Sequence, residues 1–131
     1  MKQKVSDYIA DRLAQEGISQ VFTVTGGGAM HLNDSLGHHP GLSCLYHHHE
    51  QAAAMAAEAY ARVDNRMAAV CVTSGPGATN AITGALCAWM DSIPMLVLSG
   101  QVRYDTTVRH SGLKIRTMGV QEYDITPSVE P

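Results

Sequence analysis

Two short apolar runs in this chain each end in a glycine cluster and pass straight into a helix-forming segment. The first is "QVFTVT" at 20–25, followed by Gly26-Gly27-Gly28; the second is "AAVCVTS" at 68–74, followed by Gly75-Pro76-Gly77. Apolar runs of this length bounded by glycine read as buried strands. A strand that turns at once into a helix begins a β-α-β unit, whose return strand lies parallel in the same sheet. The rest of the chain keeps this rhythm. Residues 4–16 place Val5, Ile9 and Leu13 four apart on one helical face, and Gly17 is suited to end that helix. A helix follows the first glycine cluster to about Leu36, residues 42–48 read as a strand, and the alanine-rich stretch 51–62 has strong helix propensity. A helix across 78–90 and a strand at 94–100 complete four alternations of helix and strand.

That order predicts an α/β fold: a doubly wound, mostly parallel sheet with helices on both faces. The nearly continuous apolar strands agree, since both faces of such a sheet are covered. Residues 101–124 show no clear periodicity, and connections that long are usually functional or disordered. The sequence stops at "DITPSVEP", where a further helix and strand are expected, so the domain reads as truncated at its C-terminus.

A chain of 131 residues supports one domain. Its net charge of −3 gives no overall basic field for nucleic acid. Locally, Arg103, Arg109, Lys114 and Arg116 outweigh Asp105, which marks either a solvated loop or one that contacts an anion. No apolar stretch is long enough for a membrane span, and "MKQKVSDYIADRL" lacks the apolar region of a signal peptide. The odd set Cys44, Cys71 and Cys87 lies in apolar segments and reads as small buried residues of a reduced compartment. The expected location is the cytoplasm.

In open α/β sheets ligands bind beyond the carboxyl ends of the strands. Three loops meet that description, at Thr25–Gly28, His49–Gln51 and Thr73–Asn80. A parallel sheet can place them on one edge, so three local patterns become one candidate site. Neither glycine loop carries a phosphate fingerprint: the first lacks the third glycine of the dinucleotide motif, and no Lys-Ser/Thr pair follows Gly77. Glycines that let backbone approach closely suit a flat ligand ring. The run His47-His48-His49-Glu50 invites a metal reading. Along an extended strand, however, His47 and His49 face one way and His48 the other, and Ala52 and Ala53 follow where a zinc-protease helix needs a second histidine. His31, His38 and His39 read as solvated. Glu50 begins a helix, where a carboxyl is favoured by the dipole alone; in an apolar pocket the same group becomes a neutral acid able to donate a hydrogen bond. Both readings stand at this level.

The segments "GGGAMH", "HHEQAAAMAAEAYAR", "VTSGPGATNAITGALCAWMDSIPMLVLSGQV" and "GVQEYDI", in this order, resemble the amino-terminal pyrimidine-binding domain of thiamine-diphosphate enzymes, in the acetolactate synthase and pyruvate oxidase group. The resemblance covers essentially the whole chain. It implies that Glu50 hydrogen-bonds the N1′ atom of the cofactor's aminopyrimidine and so promotes loss of the thiazolium C2 proton. It implies that Gly26, Gly27, Thr73, Pro76, Gly77 and Asn80 line the pyrimidine pocket, and that Gln121 stands near the reacting carbon of a 2-oxo-acid substrate. Thr25 stands where relatives often carry a proline, and Val120 where a large aromatic often precedes the Gln-Glu pair, which leaves other 2-oxo acids or sugars open as substrates.

In that family Mg²⁺ and the diphosphate are held by a separate domain through a Gly-Asp-Gly motif and an asparagine, and no such motif occurs here. The resemblance therefore implies half a site, inactive on its own, completed by the diphosphate-binding domain of the same or another chain in a homo-oligomer, dimer or tetramer. A separate subunit of a split 2-oxo-acid decarboxylase and a non-catalytic α/β interaction module are the alternatives. The alanine-rich helix adds a further expectation: small side chains on several faces allow close approach of another helix, with homodimers formed through 51–62 and 78–90.

Overall fold

The computed structural model describes residues 2–130. Its centre is a strand of small and branched residues, β3 (Ala68–Val72), buried at every position. β1 (Gln20–Thr23) lies on one side of it, with β2 (Ser43–Tyr46) beyond, and β4 (Met95–Ser99) lies on the other. All three pairings are parallel, with Phe22 opposite both Leu45 and Val70, and Val70 opposite Val97. Parallel neighbours require crossovers, and each is a helix: α2 (Met30–His38), α3 (Glu50–Asp64) and α4 (Pro76–Met90), with α1 (Val5–Gln15) ahead of the sheet. The α/β, doubly wound reading is correct.

Alternation along the inner strands divides the core in two. Phe22, Ala68, Val70 and Val72 face α3 and α4, packing on Ala53, Ala54, Ala57 and Ala81. Val21, Ala69 and Cys71 face α1 and α2, packing on Ala10, Leu13 and Leu36. The edge strands do not share this burial: β2 and β4 are partly exposed along their lengths. A strand with one neighbour and incomplete helix cover stays open to water, so continuous apolar character marked the inner strands more faithfully than the outer ones.

Several expectations need correcting. Val5 is 73% exposed; α1 instead lays Ser6, Ala10 and Leu13 on the core, one step around the helix. Gly17 does end that helix, at φ +82°. Cys71 is buried, which pushes its thiol up to about 11, but Cys44 is only half-buried and Cys87 lies exposed on α4. His39 is not simply solvated, because its Nε2 lies 3.2 Å from Asp11 Oδ1 and joins α2's end to α1. The irregular stretch after β4 holds a 3₁₀ turn at Tyr104–Thr106 and a short helix α5 (Val108–Ser111), and a further short helix α6 (Thr126–Val129) follows it.

The alanine face of α3 finds its close partner inside the chain. A Cβ added at Gly84 of α4 would lie 2.5 Å from Ala54 Cβ and 2.8 Å from the Ala54 carbonyl carbon, so the two helices approach with nothing larger than the Ala54 methyl at the contact. Replacing Gly84 by leucine should therefore destabilise the fold by about 2 kcal/mol or more, despite leucine's better helix propensity, because the contact is backbone that cannot yield. Urea unfolding reads this as a lower midpoint at unchanged slope.

Candidate functional site

Parallel strands deliver the ends of β1, β2 and β3 to one edge of the sheet. There the side chain of Thr73, the first residue beyond β3, fills space that three glycines leave open. A Cβ on Gly26 would come within 2.5 Å of Thr73 Cβ, one on Gly28 within 3.0 Å of its Oγ1, and one on Gly77 within 2.7 Å of its Cγ2. The Gly28 N–H donates to Thr73 Oγ1 at 3.0 Å, which ties the first glycine loop to the third.

Glu50 is the first residue of α3 and is half-buried. Its Oε2 accepts from Asn80 Nδ2 at 2.9 Å, across from α4. Its Oε1 makes no hydrogen bond among the described residues and lies 3.4 Å from where a Cβ on Gly77 would sit. The missing side chain at Gly77 thus leaves space beside the free carboxyl oxygen.

The histidine run has three separate local environments. The strand ends at Tyr46, so the alternation expected through residue 49 stops short. His47 continues the sheet by its backbone, donating to the Thr23 carbonyl at 2.8 Å, and its ring lies 5.8 Å from Phe22. His48 is exposed. His49, extended at φ −154°, is the N-cap of α3: its Nδ1 accepts the Gln51 N–H at 3.2 Å. That contact requires an unprotonated Nδ1. The capping role was missed in the sequence because histidine is not among the usual cap residues.

A cleft of about 790 Å³ opens beside the first glycine loop, bounded by the start of α2 and by residues 101–106 and 118–121. It brings together Gly26, Gly27, Thr73 and Gln121. Pro76 borders a smaller recess that also meets Gln121. Glu50, Gly77 and Asn80 group with one another and with Thr73, and do not line the larger cleft. Gln121 is exposed and left-handed, at φ +55°. The basic segment stays at the surface, with Arg109, Lys114 and Arg116 exposed and the Arg103 guanidinium paired with Asp105. Sequence reasoning did not single out Gly75, at φ +61°, although its place in "GPG" was a visible signal.

Thr73→Val keeps the side chain's shape and removes the acceptor of the Gly28 N–H. It should cost about 1–3 kcal/mol of stability in chemical denaturation, and amide exchange at Gly28 should accelerate while β3 stays protected.

The family described as thiamine pyrophosphate enzyme, N-terminal TPP binding domain, matches residues 3–123. The chain is 43% identical over 97 residues to the acetolactate synthase large subunit of Haemophilus influenzae and 45% identical over 97 residues to the acetolactate synthase isozyme 3 large subunit of Escherichia coli. Each alignment covers 74% of this chain and 17% of the relative. Similarity to acetolactate synthase 2, chloroplastic, of Zea mays is 35% over 128 residues, covering 98% of this chain and 18% of the relative. The chain thus spans less than a fifth of the length of these relatives.

Proposed function

Because this chain belongs to the thiamine pyrophosphate enzymes, as their N-terminal TPP binding domain, we propose that it is the pyrimidine-binding half of a thiamine-diphosphate-dependent 2-oxo-acid lyase or synthase of the acetolactate synthase kind. The observation that carries this reading is the carboxyl of Glu50 at the head of α3, with Oε2 held by Asn80 and Oε1 beside the space left at Gly77. A carboxyl fixed at one oxygen and open at the other suits a hydrogen bond to a ring nitrogen, and glycine backbone beside it suits the flat face of a heteroaromatic ring. The residues present therefore fit an aminopyrimidine.

In this reading Glu50 bonds the ring nitrogen and Asn80 keeps its carboxyl in one rotamer. Gly26, Gly27, Pro76 and Gly77 offer backbone to the ring, and Thr73 sets the distance between the two glycine loops. Gln121, which lines the cleft, meets the substrate. Bound thiamine diphosphate supplies an acidic carbon and an electron sink for breaking the bond beside a 2-oxo acid's carbonyl. Mg²⁺ and the diphosphate belong to a diphosphate-binding domain of the same or another chain, since no Gly-Asp-Gly motif lies in these residues. The assembly is a homo-oligomer, dimer or tetramer. It works in the cytoplasm, the compartment that the three free cysteines favour.

Two outcomes test this. In the complete enzyme, Glu50→Gln should slow hydrogen–deuterium exchange at the cofactor's C2, followed by proton NMR, by roughly 100-fold or more, the usual scale of general acid–base assistance. Unchanged exchange removes Glu50 from the role. The 131-residue chain alone should show no turnover and only weak heats with thiamine diphosphate in calorimetry; tight binding there overturns the half-site.

A further inference from the structure

Glu122, next to Gln121, is a carboxylate only 7% exposed, and the reading above gives it no role. Burial of such a group is costly unless its charge is engaged. Its Oε2 accepts the Met118 N–H at 3.4 Å, and its own N–H donates to the Gly119 carbonyl at 3.2 Å. The Thr117 hydroxyl lies 3.1 Å from the Gly119 carbonyl and 3.2 Å from the Glu122 carbonyl. Residues 117–122 are thus closed into one turn by both the side chain and the backbone of Glu122.

The turn is seated on two other elements. A Cβ on Gly119 would fall 2.8 Å from Val102 Cγ2 and 3.0 Å from the Thr106 carbonyl oxygen, so the turn packs flat on the segment after β4. On the other side the Gln121 carbonyl occupies the place a Gly75 side chain would take. Gly75 is the N-cap of α4 and offers no side-chain cap of its own. Glu122 shares a recess with Gly75, Pro76 and Thr79 at that helix end, where the helix dipole favours a negative group. Gln121 itself holds φ +55°, which a non-glycine residue keeps only when its surroundings over-determine it.

We propose that Glu122 is a positioning residue: its buried carboxylate closes the 117–122 turn on the Met118 N–H, and the closed turn, seated on Gly75 at the head of α4 through the Gln121 carbonyl, holds Gln121 at the cleft as a latch. This rests on the function proposed above, because it assigns Gln121 to the substrate side of that site. Glu122 acts through Gln121 and touches neither cofactor nor substrate.

The test uses the complete enzyme with thiamine diphosphate and Mg²⁺, supplied with pyruvate, 2-oxobutyrate and 2-oxoisovalerate, and read on whichever is consumed fastest. Glu122→Ala should lower kcat/KM at least tenfold, with cofactor affinity within threefold of wild type. Glu122→Gln, whose amide oxygen can still accept from Met118, should recover most of the loss. On a Gln121→Ala background, Glu122→Ala should cost less than twofold further, because the two residues act as one unit. Amide exchange over 117–122 should speed up in Glu122→Ala and not in Glu122→Gln, a readout that needs no turnover. Additive losses in the double variant, or equal exchange in all variants, overturn the latch. If Glu50→Gln exchanges its cofactor's C2 proton as fast as wild type, or the wild type consumes none of the three acids, the function reading fails and the latch to Gln121 falls with it. An active wild type, an impaired Glu50→Gln and a wild-type-like Glu122→Ala overturn the latch alone.

Discussion

The side chain of Thr73 sets the spacing on which the candidate site depends. It stands at the end of the most buried strand, so its base cannot move without disturbing both halves of the core. Its β-branched form restricts its rotamers, and its two branches have different partners. The hydroxyl takes the Gly28 N–H, and the methyl fills the space beside Gly77. One side chain therefore ties the loop after β1 to the loop after β3. Alanine at 26, 28 or 77 would push against it at 3.0 Å or less, so the glycines are needed for proximity here more than for backbone freedom.

From that edge the constraint runs down two helices. Glu50 and Asn80 belong to α3 and α4, and their hydrogen bond is only as well placed as the helices that carry them. Those helices meet closely at Gly84, which faces the Ala54 methyl and the backbone of Ala54 and Met55. Farther along, the Arg62 guanidinium pairs with Glu58 of its own helix and with Asp91 at the end of α4. The exposed Arg62–Asp91 pair between the helices adds little energy; the alanine–glycine contact, dense and dry, sets the helix separation and hence the reach from Asn80 to Glu50. Stability and site geometry share one interface.

Much of this was legible before any coordinates, for identifiable reasons. The runs 20–25 and 68–74, each closed by glycines, sufficed to predict parallel strands and the shared edge, because strand-glycine-helix order leaves few topologies. The place of Glu50 at the head of a helix was legible from its position at a strand-to-helix junction. Less was legible where tertiary context decides. Val5 and Ser6 differ by one step around a helix, and only the neighbouring elements determine which is buried. Cys87 sits in an apolar sequence on a helix face that this chain does not cover. The seat of Gln121 against Gly75 depends on a contact between positions 46 apart, made by a carbonyl that no residue type announces.

The histidine run shows how a conspicuous pattern can act indirectly. His47 extends the sheet by one more backbone hydrogen bond, and His49 then turns its ring back to cap α3. Glu50 is consequently the first helical residue and cannot slide along the chain: the cap fixes where the helix begins, and Asn80 fixes where the carboxyl ends. Because the cap uses Nδ1 as an acceptor, it needs His49 neutral at that nitrogen. A serine or aspartate would cap a helix as well. Unlike aspartate, the imidazole is an acceptor beside Glu50 that carries no negative charge, so the carboxyl is set in place without a second anion next to it.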